Sequence, residues 1–138
     1  MHKFIVTAAV AVVGLAPLLS HAADYSRFEG KYVGVWDDTY DSCGDTDQDG
    51  EIIINLKSID TDGTILNATV KYDDDAKIHA TSGKVFKRNG RRRIRLSYGG
   101  DGYTYVIKAK LTDKKKIKGK YDHEYSGCEW GGTVNLAK

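Results

Sequence analysis

The chain contains little proline, no helical periodicity and only one long apolar run, and each of these absences excludes a kind of structure. Its single proline, Pro17, lies near the start, so no later segment carries the residue that cannot donate a backbone hydrogen bond to a neighbouring strand. No segment shows the 3.6-residue apolar period of an amphipathic helix, which argues against a helical domain. No long apolar run follows residue 19, so we predict that the mature protein has no membrane span.

The one long apolar stretch is typical of a secretory signal peptide. Lys3 provides a positive start, about 16 apolar or small residues follow, and Ser20 and Ala22 are small residues where a signal peptidase reads the chain. We predict a signal peptide over residues 1–22 and a single domain over 23–138. The mature protein is then periplasmic or secreted.

The charge balance and the missing motifs exclude several functions. Without Lys3, 20 of the 21 basic residues remain against 19 acidic ones, a net charge of +1, which argues against a nucleic-acid binder. No nucleophile elbow, zinc spacing or phosphate-binding glycine loop is present, so we expect no enzyme activity. We expect a monomer that binds a small molecule or a protein partner.

Eight short segments of alternating character predict an all-β domain. Asn89-Gly90 predicts a two-residue hairpin, and a slip in the alternation near Ser82 predicts a bulge. In the third segment, Leu66 is expected to point inward. The predicted strands cover residues 31–37, 51–59, 64–72, 77–87, 91–98, 103–111, 116–125 and 129–136.

The two cysteines indicate how these strands close. In an exported chain an isolated pair favours a disulfide, with reactive thiols or a metal pair as alternatives. In a closed meander of eight strands, the end of the first strand and the start of the last lie at the same rim, which is where Cys43 and Cys128 fall. We therefore predict an eight-stranded antiparallel up-and-down β-barrel with one disulfide, and a β-sandwich is the alternative fold.

The closed meander also determines at which rim of the barrel each charged loop lies. The rim with the cysteines would carry most of the loop aspartates, and the opposite rim would carry lysines and arginines. The run 91–93 with Arg95 would suit an anionic surface or polyanion, although outward basic residues also serve solubility. Both interpretations remain open at this point.

Lys31-Tyr32-Val33-Gly34-Val35-Trp36 resembles the first-strand motif K-[FY]-x-G-x-W of lipocalins. The chain is shorter than a typical lipocalin and lacks its C-terminal helix, so the resemblance is to the wider class of lipocalin-like barrels. This resemblance implies a barrel that holds a small, mostly apolar ligand in a central cup. It also implies that Trp36 lies at the closed base.

The loop 45–51 matches D-x-D-x-D-G-x, the front half of a calcium loop. Leu56 stands where the bidentate glutamate of a complete loop is required, so further ligands must come from elsewhere. A solvated acidic loop is the alternative interpretation. The candidate calcium ligands are Asp45, Asp47, Asp49 and Glu51.

The interior is expected to be rich in aromatic side chains with polar atoms, which indicates a polar-lined cup rather than a dry core. A filled aromatic core is the alternative. We consider three functions: a small-ligand cup, a protein-binding barrel that acts through its rim loops, and a calcium-stabilised module. The candidate ligand-binding residues are Tyr32, Trp36, Tyr98, Tyr103, Tyr105, Tyr121, His123 and Trp130.

Overall fold

A computed structural model describes residues 24–44, 48–100, 102–125 and 127–138, and shows eight strands after a single short helix. The 3₁₀ helix η1 covers Ser26–Phe28. The strands are β1 (Gly30–Asp41), β2 (Asp49–Ile59), β3 (Ile65–Tyr72), β4 (Ile78–Arg88), β5 (Arg91–Gly100), β6 (Tyr103–Leu111), β7 (Lys116–Tyr125) and β8 (Cys128–Ala137). The predicted signal peptide lies outside the described residues.

The strands form a closed barrel, which confirms the predicted fold and excludes the sandwich. Each strand pairs antiparallel with the next along the chain. β8 returns to β1, where the register runs from Val33 opposite Ala137 to Asp41 opposite Trp130. Closure leaves the sheet without a free edge strand. The seam between β3 and β4 is the shortest, with two residue pairs, Thr69–His79 and Val70–Ile78, and one bridge from Thr64 to Lys84. Within the described ranges, no helix is long and apolar enough to cross a membrane.

The disulfide Cys43–Cys128 is present, as the two positions predicted. Its Cα atoms are 5.6 Å apart, and its partners are 85 positions apart in sequence. Ser42 and Glu129 extend the β1–β8 pairing to this rim through two hydrogen bonds of 2.8 Å. The chain-entropy model assigns a cross-link of this span about 4–5 kcal/mol of stabilisation.

Phe28, not Trp36, seals the base of the barrel. The helix η1 places the Phe28 ring in the core with 1% of its surface exposed. Arg27 and Arg92 lie over that ring, 4.5 and 4.4 Å from its centroid. Asp113 binds both guanidinium groups, at 3.3 and 2.7 Å. The position implied for Trp36 by the lipocalin resemblance is therefore wrong.

Alternation along the strands fills the core largely as expected, with one correction on β3. Leu66 was expected inside, yet 62% of its side chain is exposed. The β2–β3 register shifts on both sides of Ser58, so Ile65 and Ala68, three positions apart, both point inward. A bulge resets the alternation at this point and turns Leu66 outward.

Two local predictions are confirmed. Asn89 and Gly90 adopt φ values of +53° and +75°, as a two-residue hairpin of this type requires. The β4–β5 register shifts between Ala80 and Ser82, where the sequence predicted a bulge.

Phe28→Ala should destabilise the protein by about 3–5 kcal/mol, because the substitution leaves a cavity at the base and removes the surface on which two arginines stack. Urea unfolding measures the change. Phe86→Ala is the matched control, because Phe86 is a half-buried ring on the outer face of β4, and it should cost clearly less. Equal losses in the two variants would contradict a sealing role for Phe28.

Candidate functional site

A cavity of about 460 Å³ opens at the disulfide rim. It lies at the end of the barrel opposite Phe28. Its walls combine aromatic rings with carboxylates and one amide. The lining residues are Trp36, Asp38, Asp41, Gln48, Tyr72, Asp73, Asp75, Tyr105, Tyr121 and Trp130. We call this cavity the cup.

Trp36 lies at the centre of the aromatic wall. Its ring meets those of Tyr72 and Tyr121 edge to face, with centroids 5.8 and 6.3 Å apart. These are favourable geometries for aromatic pairs. The indole N–H of Trp36 and the hydroxyl of Tyr121 are buried and have no hydrogen-bond partner among the described residues. Both side chains line the cup, so its wall holds two polar groups that the barrel leaves unsatisfied.

Tyr72 and Tyr105 of this wall pack against Tyr98, which lies behind them. The rings of Tyr98 and Tyr105 are parallel, with centroids 5.0 Å apart. The hydroxyls of Tyr72 and Tyr98 are hydrogen-bonded to each other. Burial raises the pKa of Tyr72, and it raises the pKa of Tyr105 to about 12. These hydroxyls therefore stay protonated at neutral pH and can donate hydrogen bonds.

His123 is held between two rings of the same cluster. Its centroid lies 3.7 Å from that of Tyr105 and 3.6 Å from that of Trp130, and the residue is 5% exposed. Nδ1 is buried without a hydrogen-bond partner among the described residues. Burial lowers the pKa of His123 to about 4, so the imidazole is neutral at physiological pH.

Four aspartates give the cup its charge. Asp38 points inward from β1 and is only 7% exposed. Asp73 lies over Gly50, where a side chain would collide with its carboxylate, and its Oδ1 accepts a hydrogen bond of 2.8 Å from the backbone of Glu51. The negative charge of Asp38 further raises the pKa values of Tyr72 and Tyr105, so its electric field reaches the aromatic wall.

The structure brings most of the predicted ligand-binding residues together, but not all of them. Trp36, Tyr105, Tyr121 and Trp130 line the cup. Tyr103 and His123 line an adjoining cavity of about 570 Å³, which shares Tyr72, Asp75 and Tyr105 with the cup.

Two predicted residues lie outside both cavities. Tyr98 is 1% exposed and lies behind the rings of Tyr72 and Tyr105. Tyr32 is fully buried towards the base, and its hydroxyl donates to the carbonyl of Phe28 at 2.8 Å. The structure therefore places Tyr32 in the core rather than in the cup.

Six residues that line the cup are absent from the predicted ligand-binding residues: Asp38, Asp41, Gln48, Tyr72, Asp73 and Asp75. Tyr72 ends the third predicted strand but was not assigned to the ligand. Asp38 was assigned to a loop, whereas β1 continues to Asp41. The alternation of Tyr32, Trp36 and Asp38 at even positions could have placed the carboxylate inside.

The calcium loop stays a prediction. Asp45 and Asp47 lie outside the described residues. Asp49 and Glu51 are exposed on the outer face of β2, and Gly50 lies within that strand instead of forming a turn. In the described part of the chain, no group of three or more metal-binding side chains is placed to hold an ion.

Comparison with protein-family models, curated proteins and solved structures found no match to this chain. The closed antiparallel barrel of eight strands is compatible with a lipocalin-like fold. The class that the structure defines is thus a disulfide-linked β-barrel with an acidic, aromatic cup.

Acidification should destabilise the protein through His123. The unfolded chain protonates this histidine near pH 6.5 and the folded protein near pH 4, so the free energy of unfolding falls as the pH is lowered across that window. Urea unfolding at pH values of about 7 and 5 measures the loss. His123→Phe keeps a ring in the stack and should reduce the loss.

His79→Gln is the control, because His79 is exposed and its removal should leave the pH dependence unchanged. If acidification lowered the free energy of unfolding as much in His123→Phe as in the wild type, the effect could not be assigned to His123.

Proposed function

We propose that this protein is an exported, non-enzymatic binding protein that holds a small, positively charged organic molecule in the cup. The single observation that carries this proposal is the composition of the cup wall, where five aromatic side chains and four aspartates surround one cavity. The lipocalin-like barrel, the disulfide and the predicted signal peptide support a binding role outside the cytoplasm.

The electrostatics of the wall favour a cation. The faces of Trp and Tyr rings attract cations, and carboxylates add direct charge attraction. No lysine, arginine or histidine is among the residues that line the cup in the described part of the chain. Asp38 is nearly buried, so its charge is screened less than that of a surface aspartate.

The volume of the cup and its hydrogen-bond donors favour a small molecule as the ligand. Its volume of about 460 Å³ lies within the range of pockets that enclose small ligands. The unsatisfied Trp36 N–H and Tyr121 hydroxyl can donate to acceptor atoms on the same molecule. A protonated primary amine or a quaternary ammonium ion with an attached polar group matches this arrangement.

The protonation states of the site support binding rather than acid–base catalysis. A general base is most effective when its pKa lies near the working pH. The pKa of His123 is about 4 and that of Tyr105 about 12, so neither group exchanges protons readily at neutral pH.

The intrinsic fluorescence of the protein tests the ligand class. The chain has two tryptophans, Trp36 and Trp130, and both line the cup. Titration with phenylethylamine should change the emission, and the neutral isostere 2-phenylethanol should bind at least about tenfold more weakly, a difference of about 1.4 kcal/mol. Asp38→Asn should reduce that preference, because Asp38 is the most buried of the four aspartates.

Asp74→Asn is the matched control, because Asp74 lies in the same loop as Asp73 and Asp75 but does not line the cup. It should leave the preference for the amine intact. Equal binding of the amine and the alcohol by the wild type would contradict a cationic ligand.

Native mass spectrometry of protein purified from its own host tests the function independently of any chosen probe. We expect a chain that begins at Ala23, carries one disulfide and releases an organic cation on denaturation. A bare polypeptide with a co-purifying protein would instead favour the rim loops as a protein-binding surface. Retention of residues 1–22 would contradict cleavage of the signal peptide.

A further inference from the structure

The outer surface of β4–β7 carries a continuous array of cations. One row of cross-strand neighbours runs Lys84, Arg95, Lys108 and Lys120. A second row runs Arg93, Lys110 and Lys118. We call these seven residues the cationic face. Neighbours within a row are about 5 Å apart, and the rows are about 7 Å apart.

This arrangement opposes folding. Like charges that stand directly opposite each other on neighbouring strands destabilise a sheet. In the described part of the chain, no carboxylate forms an ion pair with any of the seven cations. The ion pairs found there join Asp113 to Arg27 and Arg92 at the base. Asp122, beside Lys120, accepts a hydrogen bond of 2.8 Å from Tyr40.

We propose that the cationic face binds a linear acidic polysaccharide. Such a chain presents anionic groups at regular intervals and can follow two parallel rows of cations. Its charge offsets the repulsion between Arg95, Lys108 and Lys120 that the protein alone leaves in place. This proposal is independent of the ligand in the cup, because the two sites share no residue.

The curvature of the barrel disfavours a membrane as the partner. The row from β4 to β7 spans three of the eight strand intervals, or about 135° of the circumference. A flat bilayer cannot touch Lys84 and Lys120 at the same time, whereas a flexible polymer can wrap from one to the other. Among the described side chains, the large exposed apolar ones are Val33, Val35, Tyr40 and Leu66, and none of these lies on β4–β7.

The chemistry of the face disfavours nucleic acid. Proteins that bind single strands stack the bases on exposed aromatic rings. Among the described side chains of these strands, the rings of Tyr98, Tyr105 and Tyr121 are turned into the barrel, and Phe86 lies half-buried at the edge of the face. Duplex DNA is too stiff to follow so tight a curve.

Binding assays with defined polymers test the proposal. At an ionic strength of about 0.15 M, the oxidised protein should bind polygalacturonate and dextran sulfate but not neutral dextran. The variant Arg95→Gln/Lys108→Gln/Lys120→Gln should lose at least about tenfold in affinity. Its melting temperature should equal or exceed that of the wild type, because three repelling charges are gone.

A matched variant distinguishes binding at the cationic face from a general effect of the protein's net charge. Lys31→Gln/Lys57→Gln/Lys77→Gln removes three exposed lysines from β1, β2 and the β3–β4 loop, and it should keep affinity within about twofold of the wild type. Equal loss in both variants would show an effect of net charge and overturn the proposal. Tighter binding to phosphatidylglycerol vesicles or to oligothymidylate would also overturn it, in favour of a lipid surface or a nucleic acid.

Discussion

Closure of β8 onto β1 is the contact on which the rest of the structure depends. With an even number of strands, it brings the two cysteine positions to one rim and makes their cross-link possible. It also separates the inner face of the sheet from its outer face, because a closed sheet has no free edge strand. The inner face can then line an acidic, aromatic cup, while the outer face of β4–β7 carries cations that form no ion pair within the described part of the chain.

Alternation and the cysteine positions were sufficient to predict the barrel. Alternation follows from the two-residue period of a strand, and the shared rim of the cysteines follows from the even number of strands. Bulges limit this reasoning. The shifts around Ser58 turn Leu66 outward, and they depend on pairing between strands rather than on the local pattern. The place of Trp36 was wrong for another reason: η1 provides its own plug, Phe28, so the base needs no tryptophan.

The aromatic half of the cup was predictable and the acidic half was not. Tyr105, Tyr121 and Trp130 follow from strand alternation. Asp38 was assigned to a loop, because aspartate is unfavourable inside strands and its neighbours are polar. Pairing with β8 past a register shift extends β1 to Asp41, and this tertiary contact turns the carboxylate inward. Asp73 likewise depends on the space above Gly50.

The meeting of the two chain ends has a consequence for folding kinetics. The strands that close the barrel are the first and the last, so their contacts have the longest sequence separation in the molecule and carry the largest loop-closure cost. Seven hairpin pairings can form locally before this one does. We therefore expect Cys43 and Cys128 to pair late in folding, so that oxidation locks a nearly finished topology rather than directing the search for it.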